Sequence, residues 1–190
     1  EPDAELMDVL AEESRLMPHL HISAQHGDDL ILRRMKRRHL GRDIIRFCDE
    51  ARRRRPDVAF GADIIAGFPT ESDAAHQQTM TMIKDAGISY LHVFPYSPRQ
   101  STPAAAMPQL DAAVIKQRAG ELRELGKAQL HQHLETAIGT TDRMLVESGN
   151  VGHGKNFAKI RLDQPFVPAS SLVDVKIYRR DQDMLLAHAV

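Results

Sequence analysis

Two apolar runs, DIIAGFPTE at Asp63 to Glu71 and LHVFPYSPR at Leu91 to Arg99, do most to limit what this chain can become. Each reads as a buried parallel strand that stops abruptly at Gly or Pro, and the ends of such strands are where α/β proteins hold their ligands. Upstream, PHLHISAQ at Pro18 to Gln25 is a short strand broken by Gly27, followed by a segment that reads as helical to about Arg38. A helix over residues 42–55 then carries Ile44, Phe47, Cys48 and Ala51 on one stripe and arginines on the other face, ending before Pro56. VAFGADIIAGF is the next strand, and TESD at Thr70 to Asp73 fits a capping box for a helix with Met80 and Ile83 inward, closed by Gly87 ahead of YLHVF. Strands alternating with helices in this way predict parallel βαβ units with right-handed crossovers.

Pro95, Pro98, Pro103 and Pro108 form a stiff loop, after which Asp111 to about Leu134 reads as a long helix with Val114, Ile115, Arg118, Leu122 and Leu125 at helical spacing. The pattern then changes to strict alternation. MLVES, FAKIRL, SLVDVKIY and MLLAHAV are four short strands, and in the third Val173, Val175 and Ile177 face opposite to Asp174, Lys176 and Tyr178. Short antiparallel strands at this spacing close into a small barrel. The expected fold class is α/β, a partial (β/α) barrel of three parallel βα units followed by a small antiparallel β-barrel, with domains over residues 1–136 and 137–190.

At 190 residues with 42% hydrophobic content, the chain has room for two modest domains. It contains no apolar run of the roughly 18 residues needed to span a bilayer and no signal-like opening, so a cytoplasmic protein is expected. A single cysteine, Cys48, excludes an internal disulfide and a closed thiolate metal site, so a metal cluster has to be held elsewhere. The chain opens at Glu1 inside the apparent helix ELMDVLAEESRL with no capping group ahead of it, which reads as a piece lacking its N-terminal portion. That portion is also expected to cover the apolar edge of a three-stranded sheet at residues 18–25. Residues 33–55 hold eleven Lys or Arg against three acids, a net +8 that suits either a polyanion such as RNA or a solvated helix face.

At the strand ends, Ser23 and Gln25 stand on alternate residues and hence on one face, placed either for a ribose or amino-acid moiety or simply as turn residues. Gly67 allows close approach to the backbone, and Glu71 falls in a first helical turn where a carboxylate is favoured. His19, His21 and His92 with Asp63 raise a different possibility, a divalent metal site of a barrel hydrolase. Against it, His19 and His21 precede the strand end, whereas catalytic groups of such barrels sit at the C-terminal mouth. The His131 and His133 pair lies on a helix at spacing two, where the side chains diverge.

Taken in order, RLMPHLHISAQHGDDLILRRMKRRH, ADIIAGFPTE, LHVFPYSPRQSTPAAAMPQ and MLVESGNVGHGKNFAKI resemble the second half of the radical S-adenosylmethionine methylthiotransferases. Within that family the chain is most similar to enzymes acting on N6-threonylcarbamoyladenosine beside the anticodon of tRNA; those acting on isopentenyladenosine or a ribosomal protein share much of the pattern. The resemblance implies a radical enzyme in which one [4Fe-4S] cluster cleaves S-adenosylmethionine to a hydrogen-abstracting radical and a second delivers sulfur to C2 of the adenine. It implies a partial barrel followed by a TRAM domain that holds tRNA. Both clusters belong to the missing N-terminal region, whose cysteines this chain lacks, so the chain alone is expected to be inactive. By the same resemblance, S-adenosylmethionine falls to Ser23, Gln25, Arg37, Ile65, Gly67 and Phe94, with Arg37 facing the carboxylate. The RNA contacts fall to Lys155, Lys159 and Arg161, beside Asn156 and a Phe157 that either stacks on a base or is buried in the barrel. The alternative from another class is a non-catalytic RNA-binding module built on the basic helix and the barrel.

Overall fold

The computed structural model describes residues 3–190. Helix α1 (Ala4–Glu12) leads to strand β1 (His19–Gln25), a short α2 (Asp29–Arg34) and α3 (Gly41–Arg54). Then come β2 (Ala59–Ala66), α4 (Asp73–Asp85) and β3 (Tyr90–Pro95). The three strands pair in the order β1-β2-β3, all parallel. One face of this sheet is covered by helices. Phe60, Ile64, Met82, Ile83 and Leu122 form its core with Met7 and Leu10 of α1, which the apolar alternation along β2 dictates. The opposite, concave face carries Tyr90, His92 and Phe94 of β3, Gly61, Asp63 and Ile65 of β2, and His19 and His21 of β1, because alternate residues of a strand point oppositely.

Helix ends differ from the sequence reading at two places. Helix α1 is capped after all, since the Asp3 carboxylate accepts from the Glu5 N–H at 3.0 Å. Helix α4 starts later than a box headed by Thr70 requires, because Ser72 is the cap and accepts from Ala75 N–H at 3.1 Å. Most arginines of α3 are already engaged: Arg53 and Arg54 pair with Glu50, Arg54 also with Asp8, and Arg52 donates to the Ala86 carbonyl. Within the basic run at residues 33–55, Arg33, Arg34, Arg46 and Arg55 are also engaged, which leaves Lys36, Arg37, Arg38 and Arg42 without a hydrogen-bond or ion-pair partner among the described residues.

After a 3₁₀ turn at Pro103–Ala106, helix α5 (Ala112–Thr136) runs from the sheet to a second body. Ala119 and Leu122 lie in the sheet core, and Leu134 lies in the core of that second body. There, strands β4 (Thr141–Ser148), β5 (Val151–His153), β6 (Lys159–Leu162), β7 (Leu172–Asp181) and β8 (Met184–Ala189) close a barrel in the order β4-β5-β6-β8-β7. Its interior holds Met144, Val146, Ile160, Val175, Ile177 and Leu185. The barrel is mixed rather than antiparallel throughout, because β6 and β8 run parallel. Five strands in a closed ring cannot alternate direction all the way round, so one neighbouring pair must agree. Leu134→Ala, which empties the place where α5 enters the barrel, is expected to cost about 2–5 kcal/mol, read as a lowered urea midpoint. No helix among the described residues is long and apolar enough to cross a membrane.

Candidate functional site

The concave face is filled in layers, and the uppermost, at the C-terminal ends of the strands, opens into a cavity of 510 Å³. Gln25, Asp63, Ile65 and Phe94 line it from the strands, and Tyr96, Arg99 and Thr102 from the loop after β3. An adjoining hollow of 290 Å³ shares Gln25 and Ile65 and adds Arg34, Lys36 and Arg37. Gln25, Ile65, Phe94 and Arg37 are thus brought to one place. Ser23 is not with them. The β1–β2 register shifts between Ile22 and Gln25, and Gln25 takes a left-handed backbone with φ 68°. Ser23 instead borders a hollow at the open β1 edge with His21, Arg38 and Arg46. Alternate residues share a face only while the strand stays regular, so the bulge separates this pair.

Gly67 stands just behind the strand end with φ +75°, and a Cβ built on it would meet Ile115 Cγ1 of α5 at 2.6 Å. Its need for glycine therefore has a packing cause. Its N–H donates to Glu71 Oε2 at 2.6 Å. Glu71 precedes α4 rather than lying in its first turn, and its carboxylate is buried among His26 at 3.3 Å, His76 at 3.6 Å and Arg118 at 3.4 Å. Arg118 also donates to the Glu71 carbonyl at 2.9 Å. Burial pushes the Glu71 carboxyl up, but the approaches of His26 and His76 and the Arg118 guanidinium outweigh it and hold the group down at about 2. The same carboxylate, against the opposing effect of burial, raises the His76 pKa, with Glu121 adding to the rise. A carboxylate ionised at neutral pH thereby ties the glycine turn after β2 to α4 and α5.

Two features of the site lay outside the sequence reading. The loop after β3 lines the cavity through Tyr96, Arg99 and Thr102, and the Tyr96 hydroxyl is buried without a hydrogen-bond partner among the described residues. Tyr96 follows a Pro in a run read only as stiff loop; its aromatic character in YSPR was the available signal. The Glu71 cluster assembles three stretches far apart in sequence, at His26, at Glu71 with His76, and at Arg118, for which no local pattern exists.

On the barrel, Lys159 and Arg161 alternate along the outer face of β6, with Arg161 paired to Asp181 at 2.9 Å. Lys155 lies in the β5–β6 turn, bordering a cavity of 590 Å³ between barrel and sheet. Phe157 lies outside the barrel core, exposed on one side. It has φ 71° and stacks between His153 at 4.6 Å and His19 of β1 at 4.8 Å. Burial lowers the His19 pKa, and the nearby His21, His133 and His92 add to the fall. The outer side of Phe157 stays open, 49% accessible, so the exposed aromatic groups of the barrel are Phe157, Phe166 and Tyr178, the last stacked on His188 at 4.3 Å.

Comparison with known proteins adds to this geometry. Residues 1–83 match the radical SAM superfamily. The chain is 49% identical over 164 residues to the threonylcarbamoyladenosine tRNA methylthiotransferase MtaB of Rickettsia prowazekii, an alignment covering 86% of this chain and 39% of that protein. It is 34% identical over 179 residues to the tRNA-2-methylthio-N(6)-dimethylallyladenosine synthase of Neorickettsia sennetsu, covering 94% of this chain and 38% of the relative. The protein of that name from Bartonella bacilliformis is 40% identical over 133 residues, covering 70% and 29%. The chain spans about two fifths or less of the length of the curated relatives it matches.

Proposed function

We infer that this chain, which belongs to the radical S-adenosylmethionine methylthiotransferases, is the part of a tRNA-modifying enzyme that holds S-adenosylmethionine and grips the RNA. The substrate best supported is N6-threonylcarbamoyladenosine, methylthiolated at C2. The relative named for that base is 49% identical, against 34% and 40% for two named for the dimethylallyl base.

The observation that carries the cofactor reading is the cavity where Gln25, Ile65 and Phe94 meet, with Arg37 in the hollow beside it. Ile65 and Phe94 offer apolar surface for an adenine, Gln25 a polar group for the ribose or amino acid, and Arg37 a fork for the carboxylate. Tyr96 lines the cavity with its ring, which packs edge-on against Phe68. Gly67 sits behind the cavity against Ile115, and Ser23 borders a separate hollow. S-adenosylmethionine supplies hydrogen abstraction and the methyl group; these side chains bind it, orient it and exclude water.

An iron–sulfur cluster does not fit the donors of this chain. Cys48 is its single cysteine, fully buried on the inner face of α3, and burial pushes its thiol up to about 12. The cluster thiolates therefore belong, in this reading, to a further part of a longer polypeptide, and no catalytic step is assigned to this chain alone. The barrel takes the place of a TRAM domain, with Lys159 and Arg161 toward phosphates and the exposed aromatics as stacking surfaces. Lys155 completes the set from the seam.

Equilibrium dialysis with labelled S-adenosylmethionine tests the cofactor site. Arg37→Ala is expected to weaken binding about tenfold, the loss of one charge-assisted contact, while Arg38→Ala, on the other hollow, leaves it unchanged. Equal affinities for the two variants would remove Arg37 from the site. A chain that binds tRNA but no S-adenosylmethionine would favour the non-catalytic RNA-binding reading.

A further inference from the structure

One layer beneath the cavity, His21 of β1, Asp63 of β2 and His92 of β3 converge on the concave face. His21 Nε2 lies 2.9 Å and His92 Nδ1 3.4 Å from the same oxygen, Asp63 Oδ1. One potential ligand atom from each residue lies within 4.8 Å of the other two. In a tetrahedral shell with bonds near 2.0–2.2 Å, ligand atoms stand about 3.3 Å apart. Two of the three edges already have that spacing, and the third closes by rotation of the exposed His92 ring.

The strand register shows how the sequence builds this cluster. Asp63 and His92 are direct partners across β2 and β3, but His21 is the partner of Gly61, two residues short of Asp63. A Cβ on Gly61 would meet His21 Nδ1 at 2.6 Å. Glycine at that position clears the path along which the imidazole leans over β2 to reach the carboxylate. Asp63 Oδ2 has no partner among the described residues, so the group keeps free acceptor capacity while two rings crowd its other oxygen. His19, on the same face, is held apart by its stack on Phe157.

We propose that His21, Asp63 and His92 bind one divalent transition-metal ion of the zinc class, with an open coordination position toward the cavity that Asp63 also lines. Two imidazoles and a carboxylate are the donor set of three-ligand sites that keep a place for water or substrate. One carboxylate leaves a divalent ion with a net positive charge, so the open position selects an anionic oxygen or sulfur donor such as a carboxylate or thiolate. Metal binding here does not depend on the reaction proposed for the chain.

The test uses the metal alone and the chain freed of any histidine tag. Zn²⁺ titrated by calorimetry, and Co²⁺ followed by its visible absorption, are expected to saturate at one equivalent. His21→Ala, Asp63→Asn and His92→Ala should each weaken binding at least about tenfold, and His131→Ala, which removes a His–Asp contact on α5, should leave it unchanged. In the unsubstituted chain, Zn²⁺ should also protect His21 and His92, but not the exposed His188, from diethyl pyrocarbonate, a readout that no folding defect can imitate. Absence of saturable binding, folded variants that bind Co²⁺ with the parent spectrum, or unprotected His21 and His92 would each overturn the proposal.

Discussion

Glu71→Gln is expected to destabilise the protein by about 3–5 kcal/mol at neutral pH, because it removes the one anion buried against Arg118, His26 and His76 while leaving those groups in place. Arg118 keeps Asp73 at 2.6 Å, but that carboxylate is fully exposed and replaces little of the loss. The pH dependence distinguishes this cause from a packing defect. The folded pKa of Glu71, about 2, lies below its ordinary value of 4.5, so its contribution is complete above 4.5 and is lost as pH falls from there toward 2. Integrated over that shift, the contribution is about 3 kcal/mol. His76 has the opposite sign: its raised pKa gives stability that is full below 6.5 and lost as pH rises through the folded value. Urea midpoints across the pH range should show both limbs in the parent. In Glu71→Gln the acid limb should flatten and the His76 limb shrink, since Glu71 is the largest cause of that shift. An acid limb of undiminished slope in the variant would assign the stabilisation to other carboxylates.

This cluster shows which part of the site the sequence withholds. Gln25, Ile65 and Phe94 were legible because each ends a strand, and the C-terminal edge of a parallel sheet is where a ligand cavity forms. Glu71 was legible only as a helix-start residue, because its partners His26, His76 and Arg118 come from a loop and two helices brought together by the fold. The expectation that Ser23 and Gln25 share one face breaks down for a local reason. Strand alternation does not carry through residues 23–25, where the chain bulges and Gln25 turns left-handed. His21, Asp63 and His92 illustrate the reverse case: the objection that His21 precedes the strand end holds for its height in the barrel, yet the register and Gly61 still bring three ligand atoms together.

Gly152→Ala is expected to disrupt the barrel, with a loss above about 4 kcal/mol. Gly152 pairs with Val146 on one side and Ile160 on the other. A Cβ there would meet the Leu145 carbonyl oxygen at 1.8 Å, its carbon at 2.8 Å and Val146 Cα at 3.0 Å. These are backbone atoms, unable to rotate away as a side chain does, so the β4–β5 ladder must open to admit one methyl. The same glycine explains why β5 escaped the sequence reading: GNVGHG carries three glycines and reads as a turn, and only the close approach of β4 makes Gly152 a strand residue. Losing that strand from the count also produced the expectation of an antiparallel barrel, since four strands can alternate all round and five cannot. The variant should therefore lose the barrel transition in thermal unfolding while the sheet with its helices keeps its own, apart from the fraction coupled through Leu134. Near-ultraviolet signal from Tyr178, stacked on His188, reports the barrel; amide exchange along β2 reports the sheet. Retention of the Tyr178 signal in a folded Gly152→Ala variant would mean that β5 is not part of the closed ring.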